Sequence, residues 1–550
     1  MLSRDSEFSP EERELVDALE SGRLSRRTFL SYAAGTSAAL ILAGCGSSSS
    51  SGGTASGGST TGAGAGAPSS GGRVTYPLPD EVETLDPAFS TQFGERPVML
   101  CIYDRLVTYD PNFNLKPGLA RSWKLLDGGR QLLLNLQPGV KFHDGTACDA
   151  HAIKWNLDRL LEKNTNSPMA SLITPPLTTV KVESPTMVRL ILTKPWRPLL
   201  AALADRPGYI VSPTAAMKHG KSFGEHPVGS GPFKFKSWIH GGDITLERNP
   251  GYWQKGKPYL DEIVCMNVMD SSVALSALQT NEVQLISDVE PSLLPTVSSN
   301  TNVVVNKIRG GHWFATQYDV NKAPFNNSAL RQAEGYGANR AAALKLAFSG
   351  DGVIPNSPIM TGFAAPSPGT PGPYPYNPAK AKAAVQRAGA AAHGPLQFTT
   401  ATDYAIYSNL AQALQPDLKK VGLNMTLEGA QYATLYAGLQ SGKYDWSETD
   451  WTPRADPDGL LRLLFYTGNA QNTTKFSDHQ VDAWLDEAAQ LYDVNKAKAI
   501  YEKILDVVTP DGGYNYIAMP SQVAAVRSNV GGFVQYSDDL VRLADLYIKQ

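Results

Sequence analysis

Cysteine is scarce in this chain of 550 residues, which holds only Cys45, Cys101, Cys148 and Cys265. The three cysteines beyond Cys45 cannot all pair with one another, so the sequence permits at most one disulfide and favours free, buried thiols. A disulfide framework is therefore excluded. The C-terminal part of roughly 480 residues must instead be held together by apolar cores, and its length predicts two or more domains.

An excess of one charge is also lacking, because 49 Lys and Arg residues face 52 Asp and Glu residues. A chain with such balanced charge has no net positive charge to attract nucleic acid. Long apolar runs are missing from the chain after residue 44. No apolar stretch in that part approaches the ~20 residues of a membrane-spanning helix. The body of the chain is therefore expected to be soluble.

The motifs of several enzyme classes are absent as well. No G-x-S-x-G nucleophile elbow occurs, and the segment Gly229–Gly231 (GSG), followed by Pro232, is too tight to form one. No G-x-x-x-x-G-K-S phosphate loop occurs, so the chain itself is not expected to use ATP. Paired carboxylates at Asp456 and Asp458 could serve hydrolysis, yet no nucleophile and base accompany them. An exported hydrolase is therefore only an alternative, and no catalytic residue is predicted.

A metal site or cofactor is not predicted either. His143, Cys148 and His151 are metal-ligand types within nine residues, but their spacing matches no closed zinc site. Asp144-Gly145 is typical of a turn between a strand and a helix, and Asp149 is a suitable cap for that helix.

The first 45 residues carry an export signal. Charged residues are followed by Arg26-Arg27, an apolar run over 29–44 and the box Leu42–Cys45 (LAGC). This pattern predicts a twin-arginine and lipoprotein signal peptide over 1–44, with lipid on Cys45. The general export route and a short anchor that is never cut are the alternatives. The protein is expected outside the cytoplasmic membrane, on its periplasmic or cell-surface face, and anchored there by lipid.

A tether follows the signal. Residues 46–72 contain only Gly, Ser, Thr, Ala and Pro, so they have no apolar surface to bury and are expected to remain a flexible coil. Together with the lipidated Cys45, the segment 45–72 is predicted to hold a globular body close to the membrane.

Beyond the tether, strand and helix patterns alternate, which indicates an α/β fold. Residues 130–136 and a pair of strands over 178–193 have strand character, whereas Pro378–Gly389 has the proline and glycine typical of the two ends of a helix. Residues 396–428 fit a strand, a helix over 412–420 and a second strand. Further helices are predicted over 328–348, 478–492 and 495–508.

One loop has the composition of a ligand-binding segment. The run 451–459 (WTPRADPDG) combines an aromatic side chain, a cation and turn formers. Such a mixture suits stacking on a ligand and pairing with its charge. Trp451 is therefore a candidate ligand contact.

Nine segments, taken in order, resemble the extracytoplasmic solute-binding proteins of the peptide and nickel class, family 5, which serve ATP-driven importers. They span nearly all of residues 73–535 and are TLDP (84–87), YDRLVTYD (103–110), GLARSW (118–123), GVKFHDGT (139–146), PVGSGPFKFKSW (227–238), ERNPGYW (247–253), NKAPFNNSALRQA (321–333), the helix 378–389 and VDAWLDEAAQLYD (481–493). The resemblance implies a two-lobed venus-flytrap fold with an extra subdomain in the first lobe. Lobe I would comprise 73–312 plus 517–550, and lobe II 313–516.

The resemblance also implies a function. Receptors of this kind carry out no chemistry and need no cofactor. A peptide or peptide-like molecule would bind between the lobes, and the closed form would deliver it to a membrane permease and its ATPase. A sensory lipoprotein with the same fold is the remaining alternative.

Ligand contacts are implied in the loop after Trp451. In dipeptide-binding relatives an aspartate there pairs with the amino terminus of the ligand, whereas this chain has Pro453-Arg454 and keeps Asp456. An arginine in the cleft would favour a carboxylate or phosphate, so the ligand is expected to be anionic. Alternatively, Arg454 pairs with Asp456 or Asp458 and only shapes the loop. Two further cleft candidates, by position, are Thr91 and Tyr404.

Overall fold

The computed structural model describes residues 68–173, 176–268, 270–367 and 370–549. The predicted signal peptide (1–44), the lipidation site Cys45 and the tether up to residue 67 lie outside the described residues. No helix in the described ranges is both long and apolar enough to cross a membrane.

The described residues alternate between strands and helices, as predicted. The strands are β1 (Arg73–Pro77), β2 (Val107–Tyr109), β3 (Leu115–Pro117), β4 (Ala120–Leu126), β5 (Gln131–Leu136), β6 (Leu177–Ser184), β7 (Met187–Leu192), β8 (Phe233–Trp238), β9 (Ile244–Arg248), β10 (Glu262–Met266), β11 (Leu285–Ile286), β12 (Val303–Arg309), β13 (Trp313–Tyr318), β14 (Pro395–Ala401), β15 (Asn424–Ala430), β16 (Trp446–Trp451), β17 (Tyr514–Ala518), β18 (Ser521–Arg527), β19 (Val530–Gly531) and β20 (Tyr547–Ile548). The α-helices are α1 (Glu95–Ile102), α2 (Ala150–Leu161), α3 (Leu199–Ala202), α4 (Pro213–His219), α5 (Ser271–Thr280), α6 (Leu294–Ser298), α7 (Ser328–Gly337), α8 (Arg340–Phe348), α9 (Pro378–Ala388), α10 (Ala405–Lys420), α11 (Tyr432–Gln440), α12 (Asp458–Phe465), α13 (His479–Gln490) and α14 (Val494–Asp511).

Two four-stranded sheets organise the N-terminal half. One has the order β1-β10-β9-β8, with β1 parallel to β10 and the other pairs antiparallel. The other, β4-β5-β7-β6, is antiparallel throughout and contains the predicted strand pair as the hairpin β6–β7. Each sheet has its own apolar core: Ile153 of α2 packs in the core of β4–β7, and Met99 of α1 in that of the first sheet.

A five-stranded sheet of order β15-β14-β16-β13-β17 organises the C-terminal half. Its strand β13 is buried along its whole length, because helices cover both faces of the sheet. Successive side chains of a strand point to opposite faces. Accordingly, Phe314 packs with α7 to α11, and Trp313 packs with α12 to α14.

The chain passes twice between these halves. It crosses from β12 to β13 and returns from β17 to β18, and β18 pairs with β12 and β11 in a small sheet. The two crossing segments therefore lie side by side. The predicted lobe boundary at 516/517 falls within β17, and the lobe boundaries stay predictions.

Local signals explain which helix ends were predicted correctly. The Asp149 carboxylate accepts hydrogen bonds from two backbone N–H groups of α2, as its position before the helix indicated. Helix α9 begins at Pro378 and ends before Gly389, which has a positive φ of 57°. The predicted helix over 412–420 lies within α10, which begins earlier, at Ala405, after Tyr404, which provides no capping side chain. The region 328–348 forms two helices, since Asn339 caps a second one.

The candidate metal segment has a structural role. The ring Nε2 of His143 donates to the Gly231 carbonyl oxygen at 2.9 Å, and the Ser212 hydroxyl donates to Asp144. Burial lowers the pKa of His143 to about 4, so its ring is neutral at pH 7. Within the described ranges, no three His, Cys, Asp or Glu side chains could together hold a metal ion. The prediction of buried free thiols is confirmed for Cys101, Cys148 and Cys265.

Candidate ligand-binding cleft

Three arginines from separate segments converge around one carboxylate. Arg96 lies in the first turn of α1, Arg206 follows α3, and Arg454 lies in the loop between β16 and α12. Arg96 Nη2 is 2.7 Å from Oδ1 of Asp205. Although burial opposes ionisation of Asp205, the charges of these three arginines, and more weakly that of Arg105, hold the pKa of its carboxyl well below the usual range. The arginine cluster denotes Arg96, Arg206 and Arg454 together with Asp205.

The arginine cluster has a net positive charge at neutral pH. Burial, followed by the charge of Arg96, lowers the pKa of Arg206 only to about 10, and arginine side chains remain protonated at pH 7. Three cations therefore face one carboxylate. The Nε atoms of Arg96 and Arg206 are buried and have no hydrogen-bond partner in the described part of the chain. Buried donors normally have partners, so the cluster is suited to bind an anion.

The loop before α1 fixes the orientation of Arg206. Its Nη2 donates to the carbonyl oxygens of Thr91 and Gln92, at 3.2 and 3.3 Å. Asp80 in turn accepts a hydrogen bond from the backbone N–H of Phe93 at 3.2 Å. The predicted site residue Thr91 is exposed and contributes its backbone carbonyl to this arrangement.

A row of tyrosines lies on the side of the five-stranded sheet. Tyr432 and Tyr436 are one turn apart on α11, and their rings stack at 6.4 Å and 11°. Tyr407 of α10 stacks on Tyr432 at 5.6 Å and 26°. The predicted site residue Tyr404 meets Tyr407 edge-on and is 54% exposed. These rings offer an aromatic surface with several hydroxyl groups.

Asp450 connects the tyrosine row to a histidine. Its carboxylate, on β16, accepts hydrogen bonds from the Tyr407 hydroxyl, the Tyr432 hydroxyl at 3.2 Å and His312 Nε2 at 2.6 Å. Burial would raise the pKa of Asp450, but these hydrogen bonds and the charge of His312 hold it below the usual value. The Asp450 carboxylate is therefore ionised at neutral pH.

Two more carboxylates act on the same histidine. Burial opposes protonation of His312, yet Asp450, Asp539 and Asp288 together raise the pKa of its ring. Burial raises the pKa of Asp539 to about 7, and the negative charge of Asp288 adds to this effect. The Oδ1 atom of Asp539 is buried without a hydrogen-bond partner among the described residues. The acidic cluster denotes Asp288, Asp450 and Asp539 around His312.

Both clusters are built from the two halves of the molecule. In the arginine cluster, the charge of Asp205 acts on Arg454. In the acidic cluster, the charges of Asp288 and Asp539 act on His312. The charge of Arg96 also acts on Asp539, so the two clusters lie close together in the cleft between the two lobes. The cleft carries an excess of positive charge in one cluster and of negative charge in the other.

Comparison with known proteins identifies the family. The model described as bacterial extracellular solute-binding proteins, family 5 Middle, matches residues 114–472. The chain belongs to this family. The resemblance seen in the sequence is thereby confirmed: the protein is an extracytoplasmic solute-binding receptor with the two-lobed α/β fold, and not an enzyme.

Relatives in this family cover almost the whole body of the chain. The glutathione-binding protein GsiB of Shigella flexneri serotype 5b (strain 8401) is 28% identical over 470 residues, which is 82% of this chain and 89% of the relative. The structure of DppA from Helicobacter pylori in complex with the peptide STSA has a TM-score of 0.76 at 23% identity, covering 88% and 99% of the two chains. The structure of AgaA from A. tumefacien R10 in complex with agropinic acid has a TM-score of 0.75 at 25% identity, covering 87% and 99%.

The loop after Trp451 contains the most informative of the predicted site residues of this solute-binding protein. Arg454 Nη1 donates to Thr452 Oγ1 at 2.6 Å. The two carboxylates considered as partners for Arg454 are engaged elsewhere, Asp456 with Arg197 and Asp458 with Arg462. Arg454 therefore keeps its positive charge available to the arginine cluster.

The other two predicted residues of this loop are placed differently. Asp456 is buried against Arg197, so its carboxylate is already occupied. The indole of Trp451 packs partly against the core beneath α12 to α14, and its Nε1 is buried without a partner among the described residues. Whether either contacts ligand stays a prediction.

Several cleft residues of this family member were not found from the sequence. These residues are scattered along the chain, and no sequence motif surrounds any of them. They are Arg96, Asp205, Arg206, Asp288, His312 and Asp539. Asp450 lies next to Trp451, and that adjacency is the one signal that could have pointed to it.

Proposed function

We propose that this protein is the lipid-anchored receptor of an ATP-driven importer and binds a peptide or peptide-like anionic molecule between its two lobes. The observation that carries the proposal is the arginine cluster, in which the buried Arg96 and the half-buried Arg206 and Arg454 share one carboxylate. Bidentate recognition of a carboxylate or phosphate suits guanidinium groups. The relatives that bind glutathione and the peptide STSA support a ligand of this class.

The acidic cluster supports an ammonium group on the same ligand. Three carboxylates share one imidazole there, so the cluster is negative above about pH 7, where Asp539 is ionised, even when His312 is protonated. A molecule with a carboxylate at one end and an ammonium at the other would neutralise both clusters. Peptides and glutathione have both groups, whereas a simple sugar has neither.

Titration calorimetry tests the ligand class directly. Glutathione is a suitable first probe, compared with the same tripeptide in which both carboxylates are amidated. We expect the amidated form to bind at least about tenfold more weakly, because it loses a charge-assisted contact to the arginine cluster. Equal affinity for the two forms would contradict an anionic ligand.

Binding of an ammonium-bearing peptide should depend on pH. The Asp539 carboxyl has a pKa of about 7, raised by burial and by Asp288, so it carries its charge only above that pH. Affinity should rise between pH 6 and pH 8 by up to about tenfold, because the deprotonated form attracts the ammonium. Calorimetry at the two pH values measures the change, and Asp539→Asn should make the profile flatter. An unchanged profile in Asp539→Asn would remove this residue from the site.

The lipid anchor has its own test. Cys45→Ala removes the acceptor of the predicted lipid, so we expect the protein to leave the membrane fraction and appear in the soluble extracytoplasmic fraction. Immunoblots of the separated fractions give the result. Continued retention in the membrane would instead favour the alternative of an uncut N-terminal anchor.

A further inference from the structure

Arg197 forms an ion pair between the two halves of the molecule. It lies between β7 and α3, where the neighbouring residues Leu192 and Leu199 pack in the core of the β4–β7 sheet. Its guanidinium contacts both carboxylate oxygens of Asp456, with Nη2 3.1 Å from Oδ1. Nη2 also donates to the Tyr501 hydroxyl at 2.8 Å. The side chains of Arg197 and Asp456 are only 10% and 8% exposed.

The partner of this arginine shapes the loop that carries Arg454. The Asp456 carboxylate also accepts a hydrogen bond from the backbone N–H of Asp458 at 3.0 Å, where α12 begins. Ala455 packs against the core of the β4–β7 sheet. The short loop is therefore held on both sides, and Arg454 lies two residues before the ion pair.

Other contacts join the two halves near this ion pair, along a line that we call the seam and that runs through Gly129, Lys194, Arg197, Asp486, Ala489 and Tyr492. The backbone N–H of Arg197 donates to the Ala489 carbonyl at 2.7 Å, and the Tyr492 hydroxyl donates to the Gly129 carbonyl at 3.3 Å. Lys194 and Asp486 form an ion pair at 3.4 Å whose side chains are 43% and 35% exposed. The seam thus contains one buried ion pair and one exposed pair.

We propose that Arg197 is a positioning residue for ligand binding: it holds Asp456, and through Asp456 it fixes the loop that presents Arg454 to the cleft. The inference rests on the proposed function for its ligand but concerns a residue outside the arginine cluster. A buried ion pair contributes little net stability, but removal of one partner leaves an uncompensated buried charge. The loop would then leave its place to solvate that charge.

Hydrogen exchange of the unliganded protein tests this positioning role without any ligand. Arg197→Met and Asp456→Asn should each raise the exchange rate of the amides in 455–459 on the order of 100-fold, because each leaves one partner unpaired. The double variant should exchange no faster than either single variant. Lys194→Met, at the exposed pair of the same seam, is the matched control and should change exchange by less than about twofold.

A binding readout separates positioning from general stabilisation. With glutathione as the probe, Arg197→Met should weaken binding in the native background but have little further effect in the Arg454→Ala background. Arg197→Lys keeps the positive charge and should bind more tightly than Arg197→Met. If Arg197→Met does not fold, Arg197→Lys takes its place in both experiments. Unchanged exchange in 455–459 in folded Arg197 variants would overturn the positioning role. Failure of glutathione to bind would count only against the proposed ligand class. The positioning role of Arg197 is tested separately, by the hydrogen-exchange experiment, which needs no ligand.

Discussion

Replacing Arg454 by alanine should weaken binding of an anionic peptide ligand by about 1.5–3 kcal/mol, which is roughly tenfold to 150-fold in the dissociation constant. The expected loss follows from the arginine cluster, where Arg454 is one of three cations facing a single carboxylate. The fold should survive, because among the described residues the hydrogen bonds of this side chain reach only Thr452 and Pro453. Titration calorimetry on the purified body provides the measurement.

Two comparisons make the Arg454 result interpretable. Arg121→Ala removes an exposed arginine of β4 and should leave affinity unchanged, which controls for the overall change in charge. Arg454→Lys keeps the charge but lacks the planar fork, so an intermediate loss is expected. If Arg454→Ala binds as tightly as the native protein, the arginine cluster is not the binding site.

Replacing Trp446 by alanine should lower the free energy of unfolding of the C-terminal half by about 3–5 kcal/mol. This side chain is 1% exposed; it packs edge-on against Phe398 at 5.0 Å and at a tilt against Phe325 at 5.2 Å. Its removal leaves a cavity in the core that supports the cleft face of the five-stranded sheet. Urea denaturation followed by circular dichroism measures the loss.

The matched control for Trp446 is the half-buried Trp238. This residue ends β8, is only half-buried, and meets His240 at a tilt with ring centroids 4.6 Å apart, so Trp238→Ala should cost much less than the core substitution. Similar losses for the two variants would contradict the described core. Ligand affinity of the folded Trp446→Ala protein should change less than that of Arg454→Ala, because Trp446 lies in the core and not in either charged cluster.

Local sequence signals explain what could be predicted of the fold. Asp149 before α2 and the Pro378 and Gly389 ends of α9 act on backbone groups within a few residues, so a single sequence displays them. The start of α10, in contrast, has no local sequence signal. Tyr404 precedes that helix without a capping side chain, and the helix forms because its apolar face packs beside α8 and β14.

Distance along the chain separates the predicted from the missed parts of the cleft. Arg454 stands in a loop whose composition and family resemblance both indicated ligand contact. Arg96 and Asp205 are 109 residues apart in the chain, and His312 and Asp450 are 138 apart. Only the fold brings such residues together, so no spacing rule could have paired them. Asp456 was predicted beside Arg454 for the ligand; its carboxylate pairs with Arg197, and its contact with ligand stays a prediction.

Affinity selection from a metabolite extract tests the central claim most directly. The native protein and Arg454→Ala are incubated with the same extract and washed, and the compounds released on denaturation are identified by mass spectrometry. We predict that the native protein retains compounds bearing a carboxylate or phosphate together with an ammonium group, and that Arg454→Ala retains much less of them. Retention of neutral compounds, or equal retention by the two proteins, would contradict an anionic peptide-like ligand held by the arginine cluster.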